Sequence, residues 1–391
     1  MILLVSVSAR MLAELATRQG YDVFAVDRFG DRDLRRLCPS VSLLRDLGGR
    51  GGMAKLVEAA EGIPADGVVY GAGLENRPDL VARLAAGRTL LGCGPETLRS
   101  GVRDPAALGA SLRAAGFAYP LTLSAADAPA RADRARRWLR KPVRGGGGRG
   151  VRAWRGGRLA GAGVVVQERI SGRPCSAAAV GDGRSAVVLG VSEQLVGRRA
   201  LGARGFTWCG DVVPPRLPAA ERSALTLTMQ EVCTYLAAAF GLRGVFGVDV
   251  VWDGARPWVV EVNPRPVASL ESIEAVHGVR SFAAHVEACA GRLPPAATAR
   301  SLAAPARAAG KAVLYATANV RVPDTRDWSA RGIRDVPHPG ERIAAGRPIC
   351  TLVATGRSPA AVLDELEARA GALREELRSA DVEGTAAHAV A

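Results

Sequence analysis

The sequence predicts a chain of α/β and α+β class, with an open α/β sheet first, larger lobes next and a small β-rich unit last. Three observations predict it. Residues 1 to about 100 alternate short apolar runs with helix-like segments. Residues 139–151, LRKPVRGGGGRGV, set a lysine before a run of glycines. Residues 245–266, VFGVDVVWDGARPWVVEVNPRP, read as two strands around an Asp253-Gly254 turn. At 391 residues the chain is long enough for two to four domains. The boundaries read from these shifts are 1–100, 101–298 and 299–391.

In the first unit, residues 2–7 and 21–26 are expected strands. Between them, 10–19 has helical spacing of Leu12, Leu15 and Ala16, and Gly20 stops it. Residues 41–44, 67–70 and 89–91 are further short strands. The loop SVSAR after the first strand is not a GxGxxG, so dinucleotide binding has little support. Open α/β sheets bind ligands at the carboxyl ends of their strands. Ser8, Arg10 and Asp27 lie at such ends, and YGAGLENRP at 70–78 adds Glu75 and Asn76. Ser8, Arg10, Glu75 and Asn76 are therefore candidate substrate residues; turn and cap roles are the alternative.

Glycines 145–148 leave backbone N–H groups free to approach phosphate without Cβ obstruction. A plain linker would not need Lys141 in front of it. Lys55, Lys141 and Lys311 are the only lysines, so Arg supplies the other 49 of the 52 basic residues. In such a chain Lys141 suggests a compact charge aimed at a phosphate oxygen. Residues 164–167 form a strand, followed by Glu168, Arg169 and Ile170. Expected strands at 177–180 and 185–191 follow, then a long helix at 219–240. In the 245–266 hairpin, Asp249 would come near Glu261 and Asn263. The last two share a strand face, with Arg265 at the next two-residue step. Two carboxylates and an amide oxygen make a hard oxygen site suited to Mg²⁺. A solvent-facing polar stripe is the bland alternative. Residues 272–290 are an expected helix whose His277 and His285 are surface or packing residues. Strands are expected at 311–322 and 349–354, and an amphipathic helix at 360–377.

The net charge of +14 invites a nucleic-acid reading. The arginines are dispersed and aromatics make up only 5%, so base-stacking platforms are lacking and no specific nucleic acid is expected. Seven cysteines occur singly without CxxC, which indicates neither a disulfide framework nor a zinc site. No apolar run reaches the roughly 18 residues of a membrane span, and the start lacks a signal-peptide pattern, so a cytoplasmic protein is expected.

The order of Lys before a glycine loop, VVVQERISG, and D-x-V…E-V-N-P-R resembles the ATP-grasp superfamily over roughly residues 1 to 355. SARMLAELA, AVDRFGD and GLENRP look like an uncharacterised branch of predicted carboxylate–amine ligases. Some members of that branch are associated with tetrahydromethanopterin-dependent one-carbon metabolism. The resemblance implies an ATP-grasp fold with a pre-ATP-grasp domain and a small C-terminal β domain. It implies ATP held under Gly145, Gly146, Gly147 and Gly148, with Lys141 on the phosphates. Gln167, Glu168, Arg169 and Ile170 would form the adenine hinge. Asp249, Glu261 and Asn263 would hold Mg²⁺, with Mn²⁺ as an alternative, and Arg265 would stabilise the transferred phosphoryl group. Two departures stand out. Arg103 occupies the position of a second nucleotide lysine, and Ser176 stands where the family commonly has a ribose-binding glutamate and could make only a weaker contact. The implied activity joins a small-molecule carboxylate to an amine or thiol through an acylphosphate. The alternatives are an ATP-grasp carboxylase or phosphotransferase, and a non-enzymatic nucleotide- or nucleic-acid-binding protein. A homodimer is compatible with the sequence.

Overall fold

The computed structural model describes the backbone of residues 1–389 except 50, 134 and 160–162, and side chains as far as residue 379. Five parallel strands open the chain: β1 Ile2–Val5, β2 Val23–Asp27, β3 Ser40–Ser42, β4 Gly67–Tyr70 and β5 Thr89–Leu90. Their order is β3-β2-β1-β4-β5. Strands such as ILLV and GVVY are apolar on both faces because helices cover both sides of a parallel sheet. The helix Arg10–Arg18 buries Leu12, Ala13, Leu15 and Ala16 on one stripe.

A four-stranded antiparallel sheet follows: β6 Thr122–Ser124, β7 Trp138–Pro142, β8 Arg152–Trp154 and β9 Val164–Glu168. The order is β6-β9-β7-β8, closed over a small core of Leu123, Ala128, Trp138 and Val166. The chain then builds β10 Arg173–Asp182, β11 Ala186–Val196, β12 Trp208–Val213, β13 Arg243–Trp252, β14 Pro257–Asn263 and β15 Ala308–Tyr315. After the short β16 Val320–Arg321, β17 Ile333–Arg334 and β18 Arg342–Ile343 comes β19 Pro348–Gly356. Eight of these form one sheet, ordered β14-β13-β10-β11-β12-β15-β19-β17. Strands on both sides of residue 299 thus share a single sheet. The helix Ala219–Phe240 packs Leu225, Met229, Val232 and Leu236 into its core and ends at Gly241 in a left-handed conformation.

Several expected elements differ in extent. The single helix over 272–290 is two helices, Leu270–His277 and Ser281–Cys289. Gly278, with φ +67°, caps the first and turns the chain. His285, on the second, is buried. Its Nδ1 accepts the Val245 N–H at 2.7 Å and its Nε2 lies 3.1 Å from the Leu91 carbonyl, a packing role. The expected 311–322 strand breaks after Tyr315, and the expected 360–377 helix is longer, Pro359–Ala389. Among the described residues, no helix is long and apolar enough to cross a membrane.

Candidate active site

The centre of the site is the β13–β14 ribbon. Asp249 pairs directly with Glu261 across the two strands. A bulge follows, because Val250 pairs with Val259 and leaves Val260 without a cross-strand partner. Its carbonyl is turned to Lys141, whose Nζ donates to it at 2.6 Å. The same Nζ lies 3.9 Å from Glu261 Oε2. The irregularity in the ribbon therefore seats the one lysine of the glycine-loop region beside the carboxylates.

Asp249 is ringed by donors. Ser176 Oγ donates at 2.8 Å, Gln194 Nε2 at 2.9 Å and Asn263 Nδ2 at 3.1 Å. Burial, followed by the Glu261 charge, pushes its carboxyl up to about 6. Burial would raise Glu261 as well, but Lys141 and Arg103 outweigh it and hold that carboxyl below its usual range. Two carboxylates in register, one already raised by the other, mark a place where an added cation would relieve repulsion. Carboxylate and amide oxygens suit Mg²⁺. Among the described residues, no three His, Cys, Asp or Glu side chains are grouped to enclose a metal. An ion held by Asp249, Glu261 and Asn263 would need phosphate or water oxygens to complete its shell.

Arg103, at the position of the second nucleotide lysine, ties the ribbon to the flap. It donates to Glu261 at 2.7 Å, to the Val262 carbonyl at 2.8 Å, to the Gly145 carbonyl at 3.2 Å and to Asn76 Oδ1 at 3.2 Å. Arg265 donates to Glu75 at 3.0 Å and to Asn263 Oδ1 at 3.3 Å. Glu75 and Asn76, read as substrate residues, thus each hold an arginine of the site. Burial works against Arg265, yet Glu75 keeps its charge firmly in place.

Lys141, Gly145, Gly146, Gly148, Arg103 and Glu261 line one narrow cleft of about 40 Å³. The flap is down over it. The Gly147 carbonyl accepts the Trp208 N–H at 3.0 Å. Gly148, at φ +72°, lies so close to Phe206 that a Cβ there would sit 1.7 Å from its carbonyl oxygen, so only glycine fits.

The remaining expected residues lie elsewhere. Gln167 is buried and donates to Thr122 at 3.1 Å. Glu168 accepts Arg136 at 2.7 Å, and Arg169 stacks 5.8 Å from the Phe206 ring. Ile170 is half-buried beside them. None of these four lines the flap cleft. Ser176 holds Asp249. Ser8 donates to Asp335 at 3.3 Å. Arg10, 1% exposed, gives all its donor nitrogens to Glu14, Glu271 and Asp335. Sequence reasoning missed Gln194 as a ligand of Asp249. Only the cross-strand register brings them together, since Ser176 pairs with Asp249 on one side and Ser192 on the other.

Parallel strand ends, a glycine flap and a carboxylate ribbon are the parts of an ATP-grasp fold. Residues 103–269 match the model of the ATP-grasp domain. No curated protein matches the chain. Solved structures do. The biotin carboxylase domain of a single-chain bacterial carboxylase is similar over 93% of this chain and 87% of its own, with TM-score 0.68 and 21% identity. The biotin carboxylase domain of Hydrogenobacter thermophilus 2-oxoglutarate carboxylase, solved with MgADP and bicarbonate, covers 93% and 88% at TM-score 0.68 and 15% identity. The L-amino acid ligase from Bacillus licheniformis covers 93% and 95% at TM-score 0.64 and 15% identity. At these identities the likeness is one of fold.

Proposed function

We propose that the protein is an ATP-dependent ligase that joins a small-molecule carboxylate to an amine. The observation that carries the reading is the Asp249–Glu261 pair in register, with Glu261 3.9 Å from Lys141 and lining the cleft under the glycine flap. The units 1–100, 101–298 and 299–391 would act together around this ribbon. ATP would lie beneath residues 145–148, its phosphates met by Lys141 and Arg103. Asp249, Glu261 and Asn263 would hold Mg²⁺, which supplies charge neutralisation on the phosphates. One similar structure contains MgADP, which supports that choice of ion.

Phosphoryl transfer asks mainly for positioning and charge. The substrate carboxylate would attack the γ-phosphorus, release ADP and form an acylphosphate. An amine would then displace phosphate and give up a proton as the C–N bond forms. Arg265, fixed by Glu75 and Asn263, would face the transferred group. The flap excludes water that would otherwise hydrolyse the acylphosphate. No nucleophilic side chain is needed, in keeping with seven free cysteines, six of them buried.

The names of the similar structures, an L-amino acid ligase and biotin carboxylases, keep carboxylation as the second reading. An ADP-release screen over carboxylate and amine pairs, with and without bicarbonate, separates the two. The ligase reading expects ADP only when both acid and amine are present. Lys141→Ala and Glu261→Ala should each abolish that release while the fold persists. Release that needs bicarbonate instead would favour the carboxylase.

A further inference from the structure

A second cavity, of about 290 Å³, opens where β1 and β2 end. That is room for about ten water volumes. Its walls combine Phe29, Trp208 and Tyr315 with aliphatic neighbours, and Arg265 stands at one side. It therefore adjoins the ribbon. Trp208 joins it to the flap through its N–H bond to Gly147.

Five charged side chains line the cavity: Arg10, Asp31, Arg265, Lys311 and Asp335. Four are engaged. Arg10 binds Glu14, Glu271 and Asp335, and Lys311 lies 3.1 Å from Glu271. Arg265 holds Glu75, and Asp335 also accepts Ser8. Asp31 is the exception. It is 8% exposed, and among the described residues no donor bonds its carboxylate. Around it stand three more carboxylates. Asp27 accepts the Gly30 N–H, and Asp33 accepts the Asp335 and Val336 N–H groups. Burial first, then its acidic neighbours, push the Asp31 carboxyl well up, with Arg10 acting against them. A lone buried acid costs free energy unless a partner arrives.

We propose that this cavity seats the substrate that carries the amine, a compact molecule with an apolar body and a cationic nitrogen received by Asp31. The inference deepens the ligase reading by naming a substrate class, and it rests on that reading only for the role of the bound molecule. An anion is disfavoured because Arg10 and Lys311 already have carboxylate partners and Arg265 is turned toward the ribbon.

Calorimetric titration of the full chain without ATP tests it, using hexylamine, 6-aminohexanoate, hexanoate and hexanol. Hexylamine should bind at least tenfold more tightly than hexanol or hexanoate. Equal or tighter binding of 6-aminohexanoate would place an amino acid there; weaker binding would place a simple amine. Asp31→Asn should weaken hexylamine at least tenfold and leave hexanol unchanged. The unfolding midpoint of Asp31→Asn should hold or rise, because the carboxylate has no partner to lose. Absence of amine binding, hexanoate binding as well as hexylamine, an indifferent Asp31→Asn or a fall in its midpoint would each overturn the assignment. The ADP screen fails separately, since this titration needs no turnover.

Discussion

Arg10 and Arg265 line the same cavity, the first buried, the second half-buried and both close to carboxylates, yet their surroundings give them different work. Arg10 begins the first helix. It is closed in by Glu14, Glu271 and Asp335, with Asp33 at 3.8 Å. These acids come from four parts of the chain, so Arg10 ties the first sheet to the helix at 270–277 and to the loop before β18. Arg265 has one carboxylate partner, Glu75, and keeps its remaining contacts on the ribbon. An arginine saturated by acids stabilises a fold. One left partly free beside paired carboxylates is available to a phosphoryl group.

The largest expected effect follows from that contrast. Arg10→Met should lower stability by about 3–5 kcal/mol, because it leaves several buried carboxylates without a counter-charge. Denaturant unfolding measures it. A loss below about 1 kcal/mol would mean the cluster is mostly screened by water. Arg265→Lys keeps a charge opposite Glu75 but loses the planar fork. Its unfolding midpoint should barely move while turnover falls about 100-fold or more, in line with removal of a preorganised donor. Equal losses of stability in both variants would erase the distinction between the two arginines.

A smaller effect concerns Asp249. Its folded value of about 6 lies above the ordinary 3.8. Below 3.8 the carboxyl is neutral both folded and unfolded, so Asp249→Asn should match the wild type in charge. Between 3.8 and about 6 the native state binds the extra proton, so wild-type stability declines relative to Asp249→Asn as pH rises. Above about 6 the gap should level off, on the order of 1–3 kcal/mol in favour of the variant. Paired unfolding curves from pH 4 to 7.5 report it. A gap that does not change with pH would show that the donors around Asp249 fully compensate its burial.

Much of this was legible before any coordinates. The glycine run, Lys141 and the E-V-N-P-R strand each carry their chemistry in local sequence, and a two-residue period fixes which side chains share a face. Partnerships made across the fold were not legible. Asn76 and Glu75 looked like ligands because they lie at a strand end. Their partners, Arg103 and Arg265, come from 27 and 190 residues away. Ser176 and Gln194 meet at Asp249 only through the strand order β13-β10-β11. The bulge at Val260 depends on register, which a run of valines does not disclose. Likewise AVDRFGD announced a strand end, but not that Asp31 would be left alone in a cavity. The split of the 272–290 helix turned on Gly278 acting as a cap rather than as a tolerated interior glycine.

The central claim is that the ribbon and the flap together hold a metal-bound nucleoside phosphate. The most direct measurement is calorimetric titration of ADP into the protein with Mg²⁺ and then with EDTA, in the wild type and in Glu261→Gln. The account predicts binding at least tenfold tighter with Mg²⁺, and loss of that gain in the variant. Equal affinity with and without the metal, or a gain that survives Glu261→Gln, would contradict it.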